Sequence, residues 1–162
     1  MRKATLLHIL IISFVFLLAA TAQAASYEDE KRIEDAKEVV KNYPDDAKAH
    51  FYLASAYQQA RMHKKSIESY KQALRLDPDN AMRYIHLANA YGRVGENEKF
   101  VKLYKKALKI DPYDGIVHMQ LGFKYAEMGD IDLAFEEYKI LKKLNTKQAK
   151  VLLDYIDKHT QP

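Results

Sequence analysis

Apolar residues recur at intervals of three and four along most of the chain, the spacing that lines one face of an α-helix. Ile33, Ala36, Val39 and Val40 form one such face, Leu53, Ala54 and Tyr57 a second, and Ile67, Tyr70, Ala73 and Leu74 a third. Val151, Leu152, Tyr155 and Ile156 form another near the C-terminus. The pattern is itself periodic. A step of 34 residues links Pro44, Pro78 and Pro112; Leu53, Leu87 and Leu121; Tyr57, Tyr91 and Tyr125; Tyr70, Tyr104 and Tyr138; and Lys71, Lys105 and Lys139. Composition alone does not produce five identical triples at one period, so each unit is expected to be a pair of amphipathic helices stacked on its neighbours. Asp46, Asn80 and Asp114 precede the first helix of each unit, where a short oxygen-bearing side chain accepts from a free backbone N–H. Gly95 and Gly129 follow the first helices of units two and three, where the backbone commonly turns left-handed, and unit one has Arg61 there. Each proline disfavours helix at the residue before it and so closes the preceding helix.

These positions resemble the tetratricopeptide repeat over residues 45–146. Units 47–80, 81–114 and 115–146 begin at Ala47, Ala81 and Gly115, and the family's large residue at position 4 falls on His50, Tyr84 and His118. Its Leu at 7 and small residue at 8 are Leu53 and Ala54, Leu87 and Ala88, and Leu121 and Gly122; its Tyr at 11 is Tyr57, Tyr91 and Tyr125. The aromatic at 24 is Tyr70, Tyr104 and Tyr138, and the Ala at 27 is Ala73, Ala107 and, as a departure, Leu141. Pro78 and Pro112 match position 32, where unit three has Thr146. Position 20 is Ser66 and Ala134, but Phe100 in unit two, and so large a ring is expected to spread or tilt that helix pair. The resemblance implies an all-α fold, an α-solenoid of helix-turn-helix repeats wound as a right-handed superhelix. Residues 25–44 then read as the second half of an incomplete repeat. Residues 147–162 read as a capping helix and tail, with Lys147, Lys150, Asp154, Asp157 and Lys158 on its polar face.

The N-terminus carries a different signal. Arg2 and Lys3 precede a nearly unbroken apolar run from Leu6 to Ala20, and Ala22-Gln23-Ala24 supplies the small residues that a signal peptidase needs. Residues 1–24 are therefore expected to be a cleavable signal peptide, giving an exported protein, periplasmic or secreted. The apolar part is short for a spanning helix, so contact with a membrane through residues 5–25 is expected only if the segment stays uncleaved. The 162 residues include no cysteine, which removes disulfides, thiolate metal sites and a cysteine nucleophile. Lys and Arg exceed Asp and Glu by only 26 to 22, which gives no case for a nucleic-acid partner.

Candidate chemistry is sparse. His50 and His118 occupy the packing slot at position 4; His63 is expected in a turn, solvated; and His86 falls on a different helix face. No HxxxH or HExxH pair, glycine-rich phosphate loop or Gly-x-Ser-x-Gly elbow occurs, so neither a metal, a cofactor nor an enzyme is expected. Lys71, Lys105, Lys139, Arg75, Lys109 and Lys143 form a basic ladder in the last turns of the second helices, where cations suit the helix dipole. By family analogy that ladder lies on the convex side, and its second reading is contact with an anionic surface through Lys99, Lys102, Lys105, Lys106 and Lys109.

By the same resemblance, positions 2, 5, 6 and 9 of the first helices line the concave groove. They are Lys48, Phe51, Tyr52 and Ser55 in unit one; Met82, Ile85, His86 and Asn89 in unit two; and Ile116, Met119, Gln120 and Phe123 in unit three. A solvated surface does not call for so many apolar side chains on one stripe. The stripe suits an amphipathic helix or extended apolar peptide, with Met giving adaptable packing. The family's carboxylate clamp needs Lys, Asn and Arg where this chain has Phe51, Ser55, His86, Ile116 and Gln120, so that mode is not expected. The expected function is a non-catalytic interaction module of the cell envelope whose partner is another protein. The alternatives are a homo-oligomeric scaffold that docks its end helix into another copy, or a membrane-anchored adaptor with a basic convex face.

Overall fold

The computed structural model describes residue 23 and residues 26–160. Apart from Gln23, the expected signal peptide over residues 1–24 lies outside the described residues. Eight helices and no strand occur among those described. We label them α1 (26–42), α2 (Ala47–Gln59), α3 (His63–Leu76), α4 (Ala81–Arg93), α5 (Asn97–Ile110), α6 (Gly115–Met128), α7 (Ile131–Leu144) and α8 (Thr146–Thr160). Helices α2 to α7 form three hairpins, each packed on the next, and α8 packs on both α6 and α7. Among the described residues no helix is long and apolar enough to cross a membrane.

Local chemistry accounts for the helix ends. The side chains of Asp46, Asn80 and Asp114 accept from the backbone N–H of Lys48, Met82 and Ile116 at 2.8, 3.1 and 2.9 Å. At the other end, the carbonyls of Tyr57, Tyr91 and Tyr125 accept from the N–H of Met62, Glu96 and Asp130, which satisfies orphan carbonyls. That turn requires a left-handed residue. Gly95 (φ 79°) and Gly129 (φ 83°) provide it in units two and three, but unit one holds Arg61 at φ 57°. A Cβ is unfavourable there, so Arg61→Gly is expected to raise stability by about 0.5–1 kcal/mol after the added unfolded-state entropy of glycine is deducted. Thermal denaturation should show a midpoint a few degrees higher, and an unchanged midpoint would mean that the turn tolerates arginine without strain.

The core runs from unit to unit in three clusters. Ile33 and Ala36 of α1 meet Leu53, Ala56 and Tyr57 of α2. Ala54, Ile67 and Tyr70 meet Leu87 and Ala90, and a larger cluster runs from Ala88, Phe100 and Tyr104 through Leu121 and Tyr125 to Leu152 and Ile156. Each hairpin therefore buries its apolar face only against its sequence neighbours, the economy of a repeat array.

Two expectations are corrected. Phe100 does not wedge α4 from α5: it is buried, its ring stacks on Tyr104 at 4.3 Å, and it lies over Gly92, which has no Cβ to obstruct it. The α4/α5 pair stays in as close contact as the hairpins on either side. His63 is not a solvated turn residue; it opens α3, half-buried, with Nδ1 shielded from water. At the C-terminus, where Thr146 replaces proline, only Asn145 separates α7 from α8. Its side chain accepts from the N–H of Lys147 and Gln148 and starts the cap immediately.

Candidate functional site

The first helices of the units, together with α8, enclose a groove of about 590 Å³. Of the twelve residues expected to line it, Ile85, His86, Asn89, Ile116, Gln120 and Phe123 do so. Lys48, Tyr52 and Met82 are exposed but outside its lining, and Met119 is half-buried against the large core cluster. Phe51 and Ser55 are drawn into packing instead. The Phe51 ring meets Tyr70 at 5.4 Å and His86 at 4.8 Å, both edge to face, and the Arg83 guanidinium lies 5.9 Å from its centre. Ser55 lies beside Tyr70, whose phenol is pushed up chiefly by burial, with Ser55 opposing.

The second helices contribute to the groove from below. Tyr104 donates to Asn89 Oδ1 at 2.8 Å, a bond between positions 24 and 9 of unit two. Burial pushes the Tyr104 phenol up to about 12, with the Asn89 bond opposing, so it remains a donor at physiological pH and holds the amide in place. In unit three position 9 is Phe123. It packs against Tyr155 of the cap at 4.7 Å, so α8 supplies one wall. Tyr155 in turn donates to Glu127 Oε1 at 3.2 Å, and Glu127 is ion-paired with Lys124.

The groove is thus an apolar strip of Ile85, Phe100, Ile116, Phe123 and Tyr155, with the amides of Gln58, Asn89 and Gln120 as hydrogen-bonding points and Arg93 as an exposed cation. Desolvation holds His86 below the ordinary imidazole range, which favours its neutral form in the groove wall. The carboxylate of Glu127 is already engaged by Lys124. Gln58 Oε1 is shielded from water and has no hydrogen-bond partner among the described residues. Nothing in the sequence pattern pointed to Arg93, Lys124, Glu127 or Tyr155 as lining residues. Tyr155 comes from the cap, which begins directly after Asn145.

The other histidines have structural partners. His50 Nε2 lies 2.7 Å from the Pro44 carbonyl and His118 Nε2 lies 3.0 Å from the Pro112 carbonyl. Position 4 thus ties units one and three to the turn before them. In unit two Tyr84 cannot repeat that bond through a ring nitrogen, and an ion pair unforeseen from the sequence holds the turn: Arg83, buried, donates to Asp77 Oδ2 from Nη2 at 2.7 Å and from Nε at 3.1 Å. Among the described residues no three His, Cys, Asp or Glu side chains converge so as to hold a metal ion.

Residues 47–80 match the tetratricopeptide repeat family, and residues 83–114 match it a second time. The chain is a tetratricopeptide repeat protein. Repeats of this kind are protein-protein interaction modules, generally without catalytic activity of their own. Solved structures agree on the fold. A crystal structure of MamA superposes with a TM-score of 0.65 at 23% identity, over 78% of this chain and 81% of that one. A MamA RS-1 double mutant gives 0.68 at 21%, over 75% and 68%. The tetratricopeptide domain of Arabidopsis OM64 gives 0.62 at 19%, over 70% and 95%. No curated protein matches the chain in sequence.

Proposed function

We propose that this tetratricopeptide repeat protein is an exported adaptor of the cell envelope that binds an apolar or amphipathic peptide segment of another protein in its concave groove. The carrying observation is the composition of that groove: an apolar strip bordered by three amides and an imidazole whose neutral form is favoured, on a three-hairpin scaffold. Apolar anchors give such a site its affinity, and the amides fix a peptide backbone. The basic and apolar segments at the start of the sequence support export.

Ile116 is the best single probe. It is 60% exposed and lines the groove, whereas Phe51 and Phe123 are half-buried in packing, so their replacement would also disturb the fold. A photo-crosslinker at Gln120, introduced in the native host, is expected to label an apolar segment of another protein, and Ile116→Glu should reduce that labelling about 10-fold or more with unchanged helix content. Undiminished labelling in the Ile116→Glu protein would overturn the proposal, as would adducts confined to a second copy of this chain.

A further inference from the structure

The second helices carry a feature for which the groove has no use. α5 holds five lysines and a single acidic residue, Glu98. Lys102, Lys105, Lys106 and Lys109 fall at i, i+3, i+4 and i+7, which places them along one side of the helix over two turns, and all four are exposed. Comparison with the other units shows how this arises. At the position of Lys102, unit one has Glu68 and unit three has Glu136, and each acid pairs with the lysine three residues on, Lys71 at 2.8 Å and Lys139 at 2.7 Å. Unit two replaces that neutralising acid with a fourth cation. At the position of Lys106 the others carry Gln72 and Ile140. The positive charge is therefore concentrated in the middle unit. A need for cations near helix C-termini does not explain it: Lys105, expected in the last turn, lies before it, as does Lys102, and only Lys109 is in that turn.

The stems are partly ordered. Lys105 and Lys106 rest over the rings of Tyr125 and Tyr84, 5.6 and 5.7 Å from their centres, with the side chains still open to solvent. The acid of the neighbouring hairpin whose charge acts on Lys105 is Glu137, which is held by His118. Apolar tips stand beside the lysines. Ile110 is 42% exposed and Tyr113, in the turn after α5, is 77% exposed. A soluble polyanion would give Ile110 and Tyr113 nothing to bury against, whereas the headgroup region of a bilayer accommodates cations and apolar tips together.

We infer that the convex face of unit two docks on an anionic lipid surface, with Lys102, Lys105, Lys106 and Lys109 against the headgroups and Ile110 and Tyr113 reaching the acyl boundary. The face is separate from the groove, so a membrane-docked protein keeps its concave side free. The test uses the full chain and two vesicle preparations, phosphatidylcholine alone and phosphatidylcholine with phosphatidylglycerol. The ratio of the two affinities cancels whatever residues 5–25 contribute to both. That ratio is expected to fall about 100-fold or more when all four lysines are changed to Gln, and to collapse at high salt. Ile110→Ser with Tyr113→Ser should weaken binding to anionic vesicles while leaving its salt dependence intact. A ratio that the four-lysine variant leaves unchanged would overturn the inference. So would polyphosphate that competes completely while the Ile110 and Tyr113 changes have no effect, since that pattern assigns the face to a soluble polyanion.

Discussion

Gly122→Ala should destabilise the protein by about 1–3 kcal/mol, although alanine is the better helix former by about 1 kcal/mol and Ala54 and Ala88 hold the equivalent place in the other units. The reason is the cap. A Cβ on Gly122 would stand 2.8 Å from Leu152 Cδ1, 3.1 Å from Cγ and closer still to Cδ2, and Leu152 is fully buried among α6, α7 and α8. Full burial restricts how far the leucine can turn. Leu152→Ala should itself cost about 2–5 kcal/mol, because it opens a cavity in the same place. The two changes are coupled: once Leu152 is shortened, the methyl group at residue 122 fills part of the void, so the double variant should cost less than the sum by about 1–3 kcal/mol. Denaturant unfolding of the four proteins measures this. Strict additivity would show that α8 shifts aside and that the close approach is not a constraint. Because Tyr155 of α8 forms one wall of the groove, the same variants should weaken peptide binding in the order in which they loosen the cap.

The parts of the fold that were legible in the sequence are those determined within one unit. The residues at positions 7 and 8 are buried in all three units, as are Tyr57 and Tyr125 at position 11, Tyr70 and Tyr104 at position 24 and Ala73 and Ala107 at position 27. The caps at Asp46, Asn80 and Asp114 are local bonds over two or three residues. The groove is another matter, because its lining depends on what one unit does to the next. Phe51 sits on the expected stripe, yet His86 and Arg83 of the following unit and Tyr70 of its own second helix take up its ring. Phe123, at position 9 of unit three, borders the groove because the cap brings Tyr155 to it. Phe100 reads as a wedge when position 20 is considered alone. Gly92, on the facing helix, supplies the compensating space, and only the pair reveals it.

His118→Phe is expected to cost about 3 kcal/mol or more at neutral pH, even though an aromatic ring fits position 4, as Tyr84 shows in unit two. His118 Nε2 must donate to the Pro112 carbonyl, which has no hydrogen to offer. Its Nδ1 lies 2.6 Å from Glu137 Oε2, and the two share one hydrogen, as an imidazolium beside a carboxylate or as an imidazole accepting from a carboxylic acid. Both side chains are largely buried, 7% and 12% exposed. Burial raises the carboxyl pKa of Glu137, and the hydrogen bond and charge of His118, with Lys105, oppose the rise. Phenylalanine removes the opposition of His118, so the folded-state pKa climbs further above the unfolded one. A raised carboxyl pKa contributes stability that is fully present below the unfolded value and is lost as pH rises through the folded value. The deficit of the His118→Phe protein should therefore shrink as pH falls from about 7 to about 5. Adding Glu137→Leu should restore much of the loss at neutral pH and flatten the profile, since no unpaired carboxylate then remains buried. A deficit independent of pH, or a double variant no better than the single, would mean that His118 serves unit three through ring packing and its bond to Pro112 alone.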